Sequence, residues 1–506
     1  GGCKNLVTGN KSSVVGGISN TASAEYSFVG GGQFNVVQAP YSSIIGGLNN
    51  IAKFTGKGNQ FIGGGTENTA CGNYSFVGGG SCNQTTAILS SVVGGTLNTA
   101  SGACSFIGGG SCNIVCSNDG SILGGFGNCV GAQACQATIT GGTLNTASSP
   151  CSFVGGGRSN KAFGKCNDFI GGGENNSITL LAASSVIAGG SCNNICTDYA
   201  AIVGGYCNTI PSAKGGSGFI GAGHNNIANA NASVVGGVFN TASGACSFIG
   251  GGYCNQATTF NSTVVGGALN TASGVCSFVG GGSCNQATTF HSSVVGGTLN
   301  TASAVCSFIG GGCKNLVCGC FSSIGGGQLN CTSLAECSVI AGGYNNLISS
   351  TCANLGAIVG GSSNGICFGS KCSFIGGGYS NSVTGHNLSA IVGGCDNCVD
   401  APCAFIGGGE GNKILDNPMG ACALHAAIVG GCGNCILGNC GFIGGGKQNC
   451  ITTNSCCSAI LGGFDNETGQ DSSFIIGSNL TATTACTTYM NNATVACHLQ
   501  VGGTTT

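Results

Sequence analysis

The hydrophobic and polar positions of this chain repeat with a short period along almost its whole length. Each copy has two adjacent apolar residues, two or three glycines, two variable residues and an asparagine. Copies often alternate between a valine type, as in 233–240, and a phenylalanine type, as in 247–255. When each copy is anchored on its first apolar residue, successive copies lie mostly 14 to 17 residues apart, often alternating 14 and 16. The pattern predicts a repeat architecture.

A period this short indicates a parallel β-solenoid. Helix-pair repeats and propeller blades need roughly 33 to 45 residues, whereas β-branched and aromatic pairs favour short strands and glycines supply tight corners. We therefore predict an all-β fold, a parallel β-solenoid of about thirty turns of 14–17 residues, over residues 1–478. Residues 479–506 depart from the repeat. We expect them to be a C-terminal non-repeat segment, either a rod end or a junction to another module.

An asparagine closes every copy of the motif. Adjacent parallel strands lie about 4.8 Å apart, so equivalent side chains of successive turns stack. An amide can both donate and accept a hydrogen bond, which predicts a structural asparagine ladder; asparagine also tolerates a left-handed corner. The predicted ladder is clearest at Asn98, Asn113, Asn240, Asn255, Asn270, Asn285 and Asn300.

The paired apolar residues predict burial on both sides of one sheet. Neighbours in a strand, such as Val234 and Val235, point to opposite faces. One face fills the coil, and the other needs a covering layer that the repeat does not provide. We predict self-association, with a parallel homotrimer as the expected form.

Composition narrows the function classes. Glycine accounts for 101 residues, but only 5 prolines and no Gly-X-Y period are present, which excludes collagen. The net charge of −2 is scattered, so no nucleic-acid partner is predicted. No apolar run is long enough to predict a membrane span. Histidines and carboxylates form no recurring constellation, so we predict a protein that is not an enzyme and has no cofactor.

The 38 cysteines occupy a few fixed registers of the repeat. Most copies of one register are two turns apart, too far for a bridge, but Cys192 and Cys207 lie in adjacent turns and form a possible disulfide. Small buried thiols and a partial disulfide framework both remain open. Cys-x-x-Cys pairs, such as Cys432 with Cys435, have zinc-like spacing. Their intervening residues belong to the repeat, so no metal site is predicted.

Segments such as Asn98-Thr99-Ala100-Ser101-Gly102 and 105–110 resemble the YadA-like head repeats of trimeric autotransporter adhesins. They are also similar to Gly-Gly-x-x-Asn repeats in fibre proteins of phages and large DNA viruses. The resemblance covers nearly the whole chain. It implies a left-handed β-roll, and the cysteine load favours a viral fibre, because disulfides would obstruct autotransporter secretion.

These observations predict a structural fibre protein that forms a rigid external rod of a virus or phage. We expect host attachment through a surface glycan or a protein receptor, and a location that is extracellular or on the virion surface. The alternatives are a cell-surface adhesin or extracellular filament of a microbe and, with less support, an ice-binding solenoid.

Overall fold

Each repeat folds into one turn that contains two short strands and one bridge residue. The first strand follows the asparagine, as in Thr241–Ala242, and the second precedes the glycines, as in Phe248–Ile249. A residue beyond the glycines, such as Tyr253, forms an isolated parallel bridge to the neighbouring turn. The strands are two or three residues long because glycine corners interrupt the apolar pairs. We call strands of the first kind sheet A and strands of the second kind sheet B.

The computed structural model describes residues 1–53, 56–211, 216–229, 231–349, 354–416 and 423–492. The chain divides into two units, residues 1–258 and 259–506. In the first unit, sheet A contains Leu6–Val7, Thr21–Ala22, Val36–Val37, Ile51–Ala52, Thr69–Ala70, Gln84–Thr85, Thr99–Ala100, Ile114–Val115, Cys129–Val130, Thr146–Ala147, Lys161–Ala162, Ser177–Ile178, Asn194–Ile195, Thr209–Ile210, Ile227–Ala228, Thr241–Ala242 and Gln256–Ala257. Its sheet B contains Ser13–Val14, Phe28–Val29, Ser43–Ile44, Phe61–Ile62, Phe76–Val77, Ser91–Val92, Phe106–Ile107, Ser121–Ile122, Thr138–Ile139, Phe153–Val154, Phe169–Ile170, Val186–Ile187, Ala201–Ile202, Phe219–Ile220, Ser233–Val234 and Phe248–Ile249.

The second unit repeats the same arrangement. Its sheet A contains Thr271–Ala272, Gln286–Ala287, Thr301–Ala302, Leu316–Val317, Cys331–Ser333, Leu347–Ser349, Gly365–Cys367, Ser382–Val383, Cys398–Asp400, Lys413–Leu415, Cys435–Ile436, Cys450–Ile451, Glu467–Thr468 and Thr481–Ala482. Its sheet B contains Thr263–Val264, Phe278–Val279, Ser293–Val294, Phe308–Ile309, Ser323–Ile324, Val339–Ile340, Ala357–Ile358, Phe374–Ile375, Ala390–Ile391, Phe405–Ile406, Ala427–Ile428, Phe442–Ile443, Ala459–Ile460, Phe474–Ile476 and Thr488–Met490.

The core lies between the two sheets of each turn. Ala22 from sheet A and Val29 from sheet B are both inaccessible to solvent and belong to one apolar cluster. The second residue of nearly every strand is buried in the same way, while the first residue faces outward. Because neighbouring strand residues point to opposite faces, two-residue strands supply one core side chain and one surface side chain each.

The register differs from the one implied by anchoring on the first apolar residue. Phe28 pairs with Ser43, and Val29 pairs with Ile44, so the second apolar residue of a phenylalanine turn aligns with the first of a valine turn. The predicted alternation of 14 and 16 residues is therefore wrong. Equivalent asparagines are mostly 15 residues apart, with steps as short as 14 and as long as 22.

The predicted fold class is confirmed as an all-β parallel β-solenoid. Among the described residues there are about 31 turns and no helix. The segment predicted to be non-repeat contains two further parallel strands, Thr481–Ala482 and Thr488–Met490, which pair with the strands one turn earlier. Residues 493–506 of that segment lie outside the described residues.

Candidate functional site

The glycine corner positions the asparagine column. Gly282 has a φ of +84°, and a β-carbon there would lie 2.0 Å from the carbonyl oxygen of Gly297 in the next turn. Cys284, two residues later, also has a positive φ, of 56°. This left-handed backbone turns the chain so that Asn285 points inward and is fully buried. Glycine is required at position 282 by both space and conformation.

Asn285 shows how each asparagine joins successive turns. Its backbone N–H donates to Oδ1 of Asn270 at 3.0 Å, and its own Oδ1 accepts from the backbone N–H of Asn300 at 3.0 Å. Its Nδ2 donates to the carbonyls of Gly281 at 2.8 Å and Gly297 at 2.9 Å. The side chain thereby gives hydrogen-bond partners to backbone groups in neighbouring turns, among them the buried N–H of Asn300.

The structure places the predicted ladder asparagines in such columns, four in the first unit and three in the second. Each is fully buried. Within each unit, consecutive asparagines are linked from Oδ1 to a backbone N–H, and direct contacts between side-chain amides occur in some turns, as between Asn364 and Asn346 at 3.1 Å. The column is a structural element in which every amide is committed to backbone partners, so these residues offer no open polar site to a ligand.

A second feature is the outward face of sheet B, which we call the apolar outer face. It consists of the first residue of each sheet B strand and the residue just after the strand. Val234 is buried whereas Val235 is 48 % exposed, so the predicted opposite orientation of this pair is confirmed. In valine turns, a serine or threonine begins the strand, and the residue just after the strand is an outward valine, such as Val265 or Val295. In phenylalanine turns an outward ring, such as Phe278, precedes a glycine.

In a phenylalanine turn the aromatic ring packs over the glycine that follows the strand. A β-carbon at Gly280 would come within 3.3 Å of the Phe278 ring, so the ring lies over the glycine two residues further on. Where two such turns are adjacent, the rings stack, as Phe61 and Phe76 do at 5.5 Å between centroids. The apolar outer face therefore exposes aromatic and aliphatic carbon in every turn of this type, which is unusual for a surface in contact with water alone.

The described cysteines are exposed or partly buried. Cys192 and Cys207 are partly buried thiols that lie beside the bridge pair Ser191 and Tyr206 in adjacent turns. The predicted disulfide between Cys192 and Cys207 stays a prediction. Burial, more than any other cause, raises the pKa of Cys207, which keeps its thiol protonated at neutral pH.

The Cys-x-x-Cys spacing does not bring its thiols into one cluster. Cys432 forms the bridge opposite Lys447, whereas Cys435 begins a strand of sheet A. Within the described ranges no group of three or more His, Cys, Asp or Glu side chains has a metal-binding arrangement. The same part of the chain contains no helix long and apolar enough to span a membrane.

Among the described residues, a small number of charged or polar side chains link turns from the outside. Lys165 pairs with Asp198 at 3.1 Å, and Nε2 of His386 lies 3.0 Å from Oδ2 of Asp416. In the same part of the chain one carboxyl group is buried: Asp168 takes the place of a corner serine and accepts a hydrogen bond from Ser149 at 2.8 Å. Burial raises the pKa of Asp168 above its ordinary value, although its hydrogen bonds oppose the shift.

No protein-family model matches this sequence, and no curated protein matches it.

Proposed function

We propose that this chain is a non-enzymatic structural fibre protein, a left-handed β-roll that assembles as a parallel homotrimer. In this proposal it forms an external rod on a virus or phage, on the virion surface or extracellular, and contributes to attachment to a glycan or protein receptor on the host. The support is physical. In the described residues the buried asparagines hydrogen-bond successive turns to one another, and the outward side of sheet B is a repeated apolar surface.

The observation that carries the proposal is the apolar outer face. Phe308 is 42 % exposed and the neighbouring Val295 is 48 % exposed. A phenylalanine side chain has roughly 200 Å² of surface, so covering the exposed part of one ring contributes about 2 kcal/mol. Because the residues recur along both units, even partial coverage by identical copies supplies a large association free energy.

Sedimentation velocity and negative-stain electron microscopy test the proposal. The purified chain is expected to sediment as a trimer and to form elongated particles of uniform width. A monomer at micromolar concentration, or a compact particle, would contradict it.

A matched pair of variants tests the assignment of the surface. Phe278→Ser combined with Phe308→Ser removes two rings from the apolar outer face, and serine is the natural residue in the same register at Ser293. Leu316→Ser is the control, because Leu316 is outward and 36 % exposed but belongs to sheet A. The double variant is expected to dissociate while the control remains a trimer. Equal effects of both changes would reject the surface.

A cell-surface adhesin would use the same fold and the same apolar outer face. The ice-binding alternative has less support. Outward Thr271 and Thr301 of sheet A are separated by Gln286, which interrupts the regular threonine array that this activity would need.

A further inference from the structure

Four consecutive turns of the second unit place a charged and thiol-rich column on the outward side of sheet A. In register order the column is Lys413, Cys435, Cys450 and Glu467. Each is the first, outward residue of its strand, and both cysteines are partly buried free thiols. Cys435 and Cys450 are therefore direct neighbours on the same face, with a cation on one side and a carboxylate on the other.

The spacing of a parallel ladder suits a bridging ion. Equivalent atoms of adjacent strands lie about 4.8 Å apart, and two metal–thiolate bonds of about 2.3 Å span about 4.6 Å. An ion placed between the two sulfurs therefore fits the unaltered ladder.

The neighbouring groups favour a particular kind of ion. The thiols of Cys435 and Cys450 hydrogen-bond to each other, with Lys413 in register on one side of the pair and Glu467 on the other. Two thiolates with a monovalent ion carry one net negative charge, and the Lys413 cation lies on the neighbouring strand. Soft thiolates select soft ions, and two donors do not complete the tetrahedral shell of zinc.

We propose that Cys435 and Cys450 form a two-thiolate site for a monovalent soft metal ion such as Cu(I) or Ag(I). Binding replaces both thiol protons with the ion: two thiols and one monovalent cation give one anionic dithiolate complex and two released protons. No electron transfer is involved. Lys413 is the positioning charge, and the rigid spacing of the two turns is the source of selectivity.

Another thiol of the same register provides an internal control. Cys331 also begins a sheet A strand, but its neighbours in the column are Leu316 and Leu347. Its register neighbours include neither a thiol nor a cation, and the nearby Cys318 follows the neighbouring strand rather than beginning it. The site is thus distinguished by an in-register thiol partner together with Lys413.

Site-resolved alkylation of the full-length chain tests the proposal. The reduced protein receives one equivalent of Ag(I) under nitrogen, is treated briefly with iodoacetamide, and is digested and analysed by mass spectrometry. Cys435 and Cys450 are expected to lose most of their alkylation together, while Cys331 reacts as in the metal-free sample. In Cys435→Ser the protection of Cys450 is expected to disappear.

Three outcomes would overturn the proposal. The first is silver protection spread evenly over the thiols, and the second is unchanged alkylation of both cysteines. The third is recovery of a Cys435–Cys450 disulfide as the main form before reduction. Lys413→Gln leaves the two sulfurs in place and is expected to weaken silver protection at least about fivefold; unchanged protection in that variant would reject the role of the charge.

Discussion

Replacing Asn285 with alanine tests the asparagine column most directly. The change leaves the backbone path intact and removes three side-chain hydrogen bonds. The backbone N–H of Asn300 loses its partner in a buried position, and the carbonyl of Gly281 loses its partner in a half-buried one. The carbonyl of Gly297 keeps a second donor, the backbone N–H of Ser283 at 3.0 Å. Two orphaned backbone groups therefore decide the magnitude.

An unsatisfied buried polar group costs about 1 to 3 kcal/mol. The buried N–H, the half-buried carbonyl and the weakened third contact together give an expected loss of about 3 to 4 kcal/mol. In a repeat protein this cost falls on the contact between neighbouring turns rather than on the whole chain. The expected consequence is local opening around residues 281–300, not global unfolding.

Native-state hydrogen exchange measures this local cost. At about 1.4 kcal/mol per tenfold change, exchange of the Asn300 amide is expected to accelerate by roughly two to three orders of magnitude. Gln286→Ala is the control, because Gln286 is outward and exposed, and surface changes of this kind usually stay within about 0.5 kcal/mol. Exchange at Asn300 that matches the control would refute the reasoning that the side chain holds the turns together.

Three further outcomes are expected. Gly282→Ala should destabilise its turn strongly, because Gly282 has a positive φ and its β-carbon would meet the carbonyl oxygen of Gly297. Gly281→Ala should have little effect, because the space around Gly281 is open. Thermal unfolding followed by circular dichroism compares the two variants, and equal midpoints would contradict the corner geometry. Asp168→Asn should raise stability at neutral pH. Because burial raises the pKa of Asp168 in the native state, the ionised carboxyl destabilises the native state at neutral pH, whereas the protonated carboxyl below the unfolded pKa does not. Denaturant titrations should therefore show that the stability advantage of Asp168→Asn disappears in acid. An advantage independent of pH would contradict this reasoning. Cys435 should react with iodoacetamide at pH 7 faster than Cys331, whose pKa is raised to about 11 mainly by burial; the reverse order in timed alkylation would exclude an activated thiol.

The sequence predicted the fold class because its strongest signals are local. A glycine with positive φ and an inward asparagine occur at fixed offsets in each turn, as at Gly282 and Asn285. The inward and outward assignment of Val234 and Val235 followed from strand geometry alone. These features depend on neighbours in sequence, so a single chain reveals them.

The strands of sheet A were not predicted, since their core residue is often only alanine. Thr241–Ala242 has no apolar pair to mark it, yet Ala242 is fully buried between turns. The register implied by the first apolar residue was also wrong, because in a phenylalanine turn that residue lies on the outside of the solenoid, one position before the core residue. The asparagines carry the true period, since their inward position does not vary between the two turn types. The stacking of Cys435 on Cys450 likewise becomes visible only in the correct register.

The inside and the outside of this solenoid repeat with different periods. Asparagine, glycine and an aliphatic core residue recur in nearly every described turn, whereas Phe248, Phe278 and Phe308 recur in every second turn. Crowding within the chain does not impose the longer period, because Phe153 and Phe169 occupy adjacent turns and stack at 5.4 Å. The two-turn period is therefore not a packing requirement of the single chain. In the proposed assembly, a second copy would insert its own phenylalanine ridges into the valine-lined gaps, and the two-turn period would then set the spacing of those ridges.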